Sequence, residues 1–260
     1  MKVIARLSKI IAQKQVVKGM VVKNLKDKYV ASALGISWAL INPLLIMLAV
    51  TFVFTKIMNT DIDHFALLIL SALLPWFFFV NSMCESTTSM KQNLDMLSQF
   101  VLPREIIPIS VVLANFINFL FGFAVMLPLF IFFNPSIIKC LWYLPLIMLL
   151  HIIFTCGISL LFSITNVYFR DLAQLLNVGV MFLFWITPIF YPVEMIPQEF
   201  RWIIYVNPGA CYIVIYKSLL YYGTRGDMAM WLLGAGFAFA SLIGGYTLFI
   251  KKEREILKYI

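Results

Sequence analysis

Long apolar blocks alternate with short polar stretches along most of this chain. A helix needs about 20 apolar residues to cross a bilayer core. Six stretches reach that length: 34–55, 64–84, 109–133, 141–165, 172–191 and 228–250. None of them contains Asp, Glu, Lys or Arg. Residues 192–227 break the pattern. Their apolar run, 209–222, is only fourteen residues long and follows Pro192, Pro197 and Pro208. That length predicts a re-entrant or interfacial helix pair rather than a full crossing. The first block is too long and too far from the start for a cleavable signal peptide, and no small-residue cleavage pattern follows it.

Two polar segments carry helical patterns of their own. Val3, Ile4, Leu7, Ile10 and Ile11 recur at helical spacing, with Lys2, Arg6 and Lys9 largely elsewhere around the wheel. Val17, Met20, Val21 and Leu25 form a second apolar group after Gly19. This predicts an amphipathic helix that lies on the membrane surface or forms one wall of a docking site. In 85–108, Ser86-Thr87-Thr88-Ser89 offers an N-cap for a short helix over 90–100, which Pro103 stops before Arg104-Glu105. The expected architecture is all-α and membrane-integral: a segment 1–33 followed by one transmembrane domain, 34–260. It has six spans, a coupling loop at 85–108 and re-entrant helices at 192–222.

Composition agrees and removes whole classes of function. The chain of 260 residues is 62% hydrophobic and 12% charged, with a mean hydropathy of +0.94. Soluble domains sit nearer half apolar and a quarter charged. Neither a soluble enzyme nor a disordered chain fits. The net charge of +8 is concentrated at the start, where residues 1–28 hold eight basic side chains and one acid. A cationic segment beside the first span is a membrane-surface anchor, not a nucleic-acid site. With the N-terminus inside, fifteen Lys and Arg fall on the cytoplasmic side and five outside. The positive-inside rule therefore places both termini in the cytoplasm.

Little in the chain can do chemistry. Cys84, Cys140, Cys156 and Cys211 show neither C-x-x-C nor close pairing, so no zinc site or disulfide framework is indicated. No G-x-x-x-x-G-K-[ST] phosphate loop occurs, so energy for uphill movement must come from another polypeptide. The lack of charges within the spans argues against proton coupling and voltage sensing, and no internal repeat supports an inverted-repeat carrier. His151 is the one conventional catalytic candidate inside a span; the plainer expectation is a hydrogen bond to a neighbouring helix. The 41 aromatic residues are suggestive. Trp142, Trp202, Tyr205 and Trp231 suit an interfacial belt. Trp76-Phe77-Phe78-Phe79 lies deeper, after Pro75, and Phe184, Trp185, Phe190 and Tyr191 load the outer half of the fifth span. Aromatic faces of this kind can line a path for sugar rings, or pack against lipid and core.

At the level of motifs the chain resembles the membrane subunit of ABC-2-type polysaccharide exporters, the Wzm-like group whose relatives export O-antigen, capsule and teichoic-acid chains. The similarity runs through nearly all 260 residues. It rests on Leu34-Gly35-Ile36-Ser37-Trp38 with Asn42-Pro43-Leu44, on Leu102-Pro103-Arg104-Glu105, and on Asn166-Val167-Tyr168-Phe169-Arg170-Asp171-Leu172. Thr187-Pro188-Ile189-Phe190-Tyr191-Pro192 and Asn207-Pro208 complete it, while Gly209-Ala210-Cys211-Tyr212 departs from the usual pattern.

The resemblance implies a homodimer in a bacterial inner membrane. It implies two copies of a cytoplasmic ABC ATPase beneath it, which use ATP and Mg, with no cofactor or metal on this chain. The substrate implied is an undecaprenyl-linked glycan. A path would involve Trp38, Trp76, Phe184, Trp185, Phe190 and Tyr191, with Arg170 and Asp171 at its cytoplasmic mouth. An external gate would involve Trp202, Tyr205, Asn207, Pro208 and Tyr212. Coupling to the ATPase would involve Met90, Lys91, Asn93, Leu94, Asp95, Leu97, Arg104 and Glu105. The alternatives are an ABC-2 permease for a drug or simple lipid, an intramembrane transferase centred on His151, and a scaffold without transport.

Overall fold

A computed structural model describes residues 13–29, 32–93 and 103–253. The first part of the amphipathic segment (1–12) and the coupling candidates Leu94, Asp95 and Leu97 lie outside the described residues. Among those described, all regular structure is helical. In chain order the helices are α1 (Lys14–Tyr29), α2 (Trp38–Phe52), α3 (Phe65–Gln92), α4 (Ile106–Phe133), α5 (Leu144–Tyr168), α6 (Leu172–Ile186), α7 (Trp202–Val206), α8 (Pro208–Leu220) and α9 (Met228–Lys252). A 3-10 turn, Gly35–Ser37, leads into α2, a π turn, Val53–Ile57, ends it, and a 3-10 stretch, Pro135–Tyr143, precedes α5.

Five of these units are long and apolar enough to cross a membrane: Gly35–Ile57, Phe65–Gln92, Ile106–Phe133, Pro135–Tyr168 and Met228–Lys252. Their ends are sorted by hydrogen bonds. At the end where α1 lies, Asn166 at the foot of α5 donates to the Thr87 carbonyl of α3 (2.9 Å), and Tyr168 donates to the Lys252 carbonyl of α9 (2.8 Å). At the opposite end, Asn134 donates to the Tyr221 carbonyl (2.7 Å) and Tyr221 to the Asp63 carbonyl (2.5 Å). The helices thus run up and down between a basic end, around α1, and an opposite end closed by α7 and α8.

The core sits on α3, which is buried along most of its length against α4, α5 and α8. Phe78, Phe79, Phe119, Phe154, Tyr212 and Tyr216 fill it. The tightest seam joins α5 to α9. A Cβ on Gly157 would land on the Ser241 backbone, and one on Gly245 would land on the Gly157 carbonyl. Only hydrogen fits there, and the two backbones come close enough for Ser241 to donate to the Phe154 carbonyl (3.2 Å). Small-residue contacts of this kind bring membrane helices together through packing, since lipid offers no hydrophobic drive.

Several expected boundaries move. The hydroxyl run Ser86-Thr87-Thr88-Ser89 does not cap a new helix: α3 continues through it to Gln92. Each hydroxyl instead returns to a carbonyl of its own helix, as Thr87 does to Met83 (2.7 Å) and Ser89 to Ser86 (2.6 Å). Back-bonding satisfies these groups without ending the helix. The third crossing starts earlier, at Ile106, and the fourth gains the 3-10 stretch before it.

The fifth predicted span, 172–191, is the largest change. The helix stops at Ile186 after fifteen residues, about 22 Å at 1.5 Å per residue and short of a ~30 Å core. Pro188 explains the stop, because the residue before a proline is pushed out of the helical region; Thr187 is extended, with φ −74° and ψ 134°.

Candidate functional site

At the opposite end, the broken segment 187–192 meets a bent helix pair. Gln198–Val206 and Pro208–Leu220 are bent by 102° at Asn207. Asn207 makes the bend by capping α8: its Oδ1 accepts from the Gly209 N–H (3.0 Å) and the Ala210 N–H (3.4 Å). Pro208 then occupies the first helical position, where a missing N–H costs nothing. The other side of the same carboxamide donates to Thr187 Oγ1 (3.0 Å), which ties the bend to the end of α6.

Irregular backbone is tolerated at membrane depth only where protein satisfies it. Thr187, Ile189 and Phe190 are buried, and Lys217 of α8, only 2% exposed, donates to the Tyr191 carbonyl (3.0 Å). The Tyr191 hydroxyl donates back to the Ile186 carbonyl (2.9 Å).

The aromatic path candidates divide accordingly. Phe190 stands edge-on to Phe184 with centroids 4.8 Å apart, and Phe184 lies 5.9 Å from Trp76. Phe190 and Trp76 are buried, whereas Trp185 is exposed. Trp76 nonetheless forms part of the wall of an apolar groove of about 540 Å³ between α3, α5, α6 and the bent pair α7–α8; Leu183, Trp202, Val206 and Asn207 also line it. Among the gate candidates, Trp202 and Tyr205 are exposed. Tyr212 is fully buried and donates to the Gly234 carbonyl (2.7 Å), a structural bond between α8 and α9.

At the basic end, α1 is clasped to α3 and α4. Met20 and Val21 are its buried side chains. Around them, Lys23 donates to Asn93 Oδ1 (3.0 Å) and Asn24 to Ser110 Oγ (3.1 Å). Lys28 closes a triad: its Nζ lies 2.8 Å from Glu85 Oε1 and donates to Asn115 Oδ1 (2.6 Å), while Asn115 Nδ2 donates to Glu85 Oε2 (2.9 Å). Burial, with the Glu85 carboxylate nearby, raises the Tyr29 phenol above its ordinary value and keeps it a neutral donor.

Of the coupling candidates, Met90 is buried in a second apolar cluster with Met20, Ile106 and Phe249, Lys91 is half-buried, and Asn93 receives Lys23. Arg104 donates to the Glu253 carbonyl and Glu105 is buried, so the chain enters α4 pinned against the foot of α9. Arg170 and Asp171 are exposed in the turn between α5 and α6, and Trp38 is partly exposed, with its indole donating to Ser32 Oγ (3.0 Å).

His151 does not make the hydrogen bond expected of it. Its Nδ1 has no partner among the described residues. The ring stacks on Tyr212 (4.7 Å, 13°) and meets Phe78 edge-on (5.0 Å, 88°), so aromatic packing replaces a polar contact. At 2% exposure the imidazole is sealed in the core. Two features escaped the sequence: the Lys28–Glu85–Asn115 triad and the buried Lys217. Their only signals were Glu85 one residue beyond a predicted span and a lone lysine within the run 209–222.

Comparison with known proteins assigns this arrangement. The pattern of the ABC-2 type transporter family matches residues 15–221. The chain belongs to that family. Among curated proteins, it is 36% identical over 203 residues to an O-antigen export system permease protein RfbA of Klebsiella pneumoniae, covering 78% of each chain. It is 26% identical over 243 residues to the RfbA of Myxococcus xanthus, covering 93% of this chain and 94% of that one. It is 23% identical over 252 residues to the polysialic acid transport protein KpsM of Escherichia coli, covering 94% and 96%. The ABC-2 match takes in nearly all of α1, the triad and the bent pair α7–α8, and this integral membrane protein shares the build of transport permeases rather than of enzymes.

Proposed function

We propose that this ABC-2 chain is the permease subunit of an ATP-driven exporter that moves a lipid-linked, O-antigen-like polysaccharide across the bacterial cytoplasmic membrane. The observation that carries the reading is the 36% identity to an O-antigen export permease over 203 residues. The basic end faces the cytoplasm, in keeping with the positive-inside rule. A soluble ATPase subunit binds there and presses on α1 and on the segment that follows α3, and the clasp passes that movement to α3 and α4. Two copies of the chain enclose the conduit. In support of this, none of the residues of α6 is buried in the protomer, and α2 buries only Pro43; both apolar faces are free for a second copy. ATP and Mg are used by the partner, and no step of catalysis falls to this chain.

The test is made in cells that lack the chain. Undecaprenyl-linked glycan accumulates inside and disappears from the surface, and a tagged copy restored to those cells co-purifies with an equimolar soluble subunit carrying a phosphate loop. Unchanged glycan together with a new drug sensitivity would assign the permease to a different cargo.

A further inference from the structure

Behind the Lys28–Glu85–Asn115 triad, a cleft of about 310 Å³ opens between α1, α2, α3 and α4. Its lining is unusual for its depth. Asn42, Asn81 and Asn118 present carboxamides to it, and Trp38, Tyr29 and Phe77 present aromatic faces. Asn81 lies eleven residues before the end of α3, roughly 16 Å along the helix, where hydrocarbon would leave an amide without partners.

These amides are not used by the protomer itself. Asn118 Oδ1 is buried with no partner among the described residues. Asn42 and Asn81 are exposed and make no side-chain hydrogen bond to a described residue. Polar groups held unsatisfied at membrane depth mark a wet path or a ligand.

The charge balance narrows the ligand. Among the described residues, Lys28 is the one cation in the lining, and Glu85 neutralises it in place at 2.8 Å. A phosphate would meet a lysine already held and a carboxylate beside it. A sugar ring meets neither problem: each hydroxyl both donates and accepts, as a carboxamide does, and its C–H face rests on aromatic rings while its edge is hydrogen-bonded. We infer that this cleft binds a neutral sugar residue of the exported chain by its hydroxyls, at the basic end of the membrane, and does not recognise the phosphate of the lipid carrier. The inference rests on the polysaccharide reading above and adds to it a site and a chemical preference.

The experiment uses the permease with its ATPase partner in lipid nanodiscs. The probe is a set of oligosaccharides cut from the host's own surface polysaccharide by mild acid, free of lipid and phosphate. Saturable binding is expected by calorimetry, unaffected by excess inorganic pyrophosphate. Asn81→Leu and Asn118→Leu, on different helices, each weaken it about tenfold while the melting temperature and co-purification of the ATPase subunit hold. If one variant fails to assemble, the other carries the measurement.

Equal binding by the parent and both variants overturns the site, as does displacement by pyrophosphate. Absence of binding in an assembly that restores export to deletion cells overturns it too, and leaves the polysaccharide reading intact. That reading fails separately, when deletion cells keep their surface glycan without internal accumulation.

Discussion

Gly157 and Gly245 show how little room the α5–α9 seam allows. Replacing Gly245 with alanine puts a methyl on the Gly157 carbonyl, and neither backbone can yield without moving its helix. Overpacking of this kind costs about 1–3 kcal/mol, so Gly245→Ala should melt measurably lower in detergent, whereas alanine at Gly236, which has open space around it, should not. Lys217 works differently. Its amine is buried, yet its partner is a backbone carbonyl rather than an acid. Lys217→Met fills the volume and removes a buried amine, so global unfolding should move little. The Tyr191 carbonyl loses its donor, and amide exchange over 187–192, read by mass spectrometry, should rise roughly tenfold or more. Unchanged exchange would mean that the lysine does not hold that segment.

Element by element, the crossings were largely legible, because about twenty apolar residues without a charge have few alternatives in water or lipid. The interruption between α6 and α9 was legible too, from a fourteen-residue run behind three prolines, and it takes the form of a bent helix pair. The short α6 was not. Hydropathy continues smoothly through Tyr191, and only the local effect of Pro188 on Thr187 decides where the helix stops. The serine and threonine run failed as a cap for a related reason: the same hydroxyls that end a helix can bond back along it, and the buried surroundings of α3 decide between the two. At the site, the Asn207–Pro208 bend could be read from two letters, whereas the triad needs α1, α3 and α4 brought together from positions 28, 85 and 115. The bend itself is testable. Asn207→Ala removes a cap worth about 1 kcal/mol and the tie to Thr187, while Asn207→Asp keeps the acceptor for α8 and loses the donor. Export should fall in both, with the helix restored only in the second by circular dichroism.

The whole molecule is asymmetric in its coverage. α3 is enclosed by neighbours, while α2 and α6 stand on the flank with their apolar side chains outward. On the proposed reading, movement applied at α1 reaches the best-packed helix first, through Lys28, Glu85 and Asn115, and the loosely covered helices are free to shift against it. Packed cores switch between discrete arrangements rather than stretch, so the flank is where two states of the transporter can differ.

The fifteen-residue length of α6 also reaches beyond the protein, into the lipid around it. Where the second copy leaves this flank uncovered, a helix of about 22 Å meets a hydrocarbon layer of about 30 Å that it cannot match. The membrane must thin locally, the flanking side chains must reach outward, or another surface must cover the helix. Turnover of the reconstituted transporter should accordingly be faster in bilayers of short-chain lipids than in long-chain ones of the same headgroup, measured as glycan-dependent ATP hydrolysis across a thickness series. Membrane thickness, which a cell adjusts with temperature and growth, would then act on this machine as a control it shares with no particular ligand.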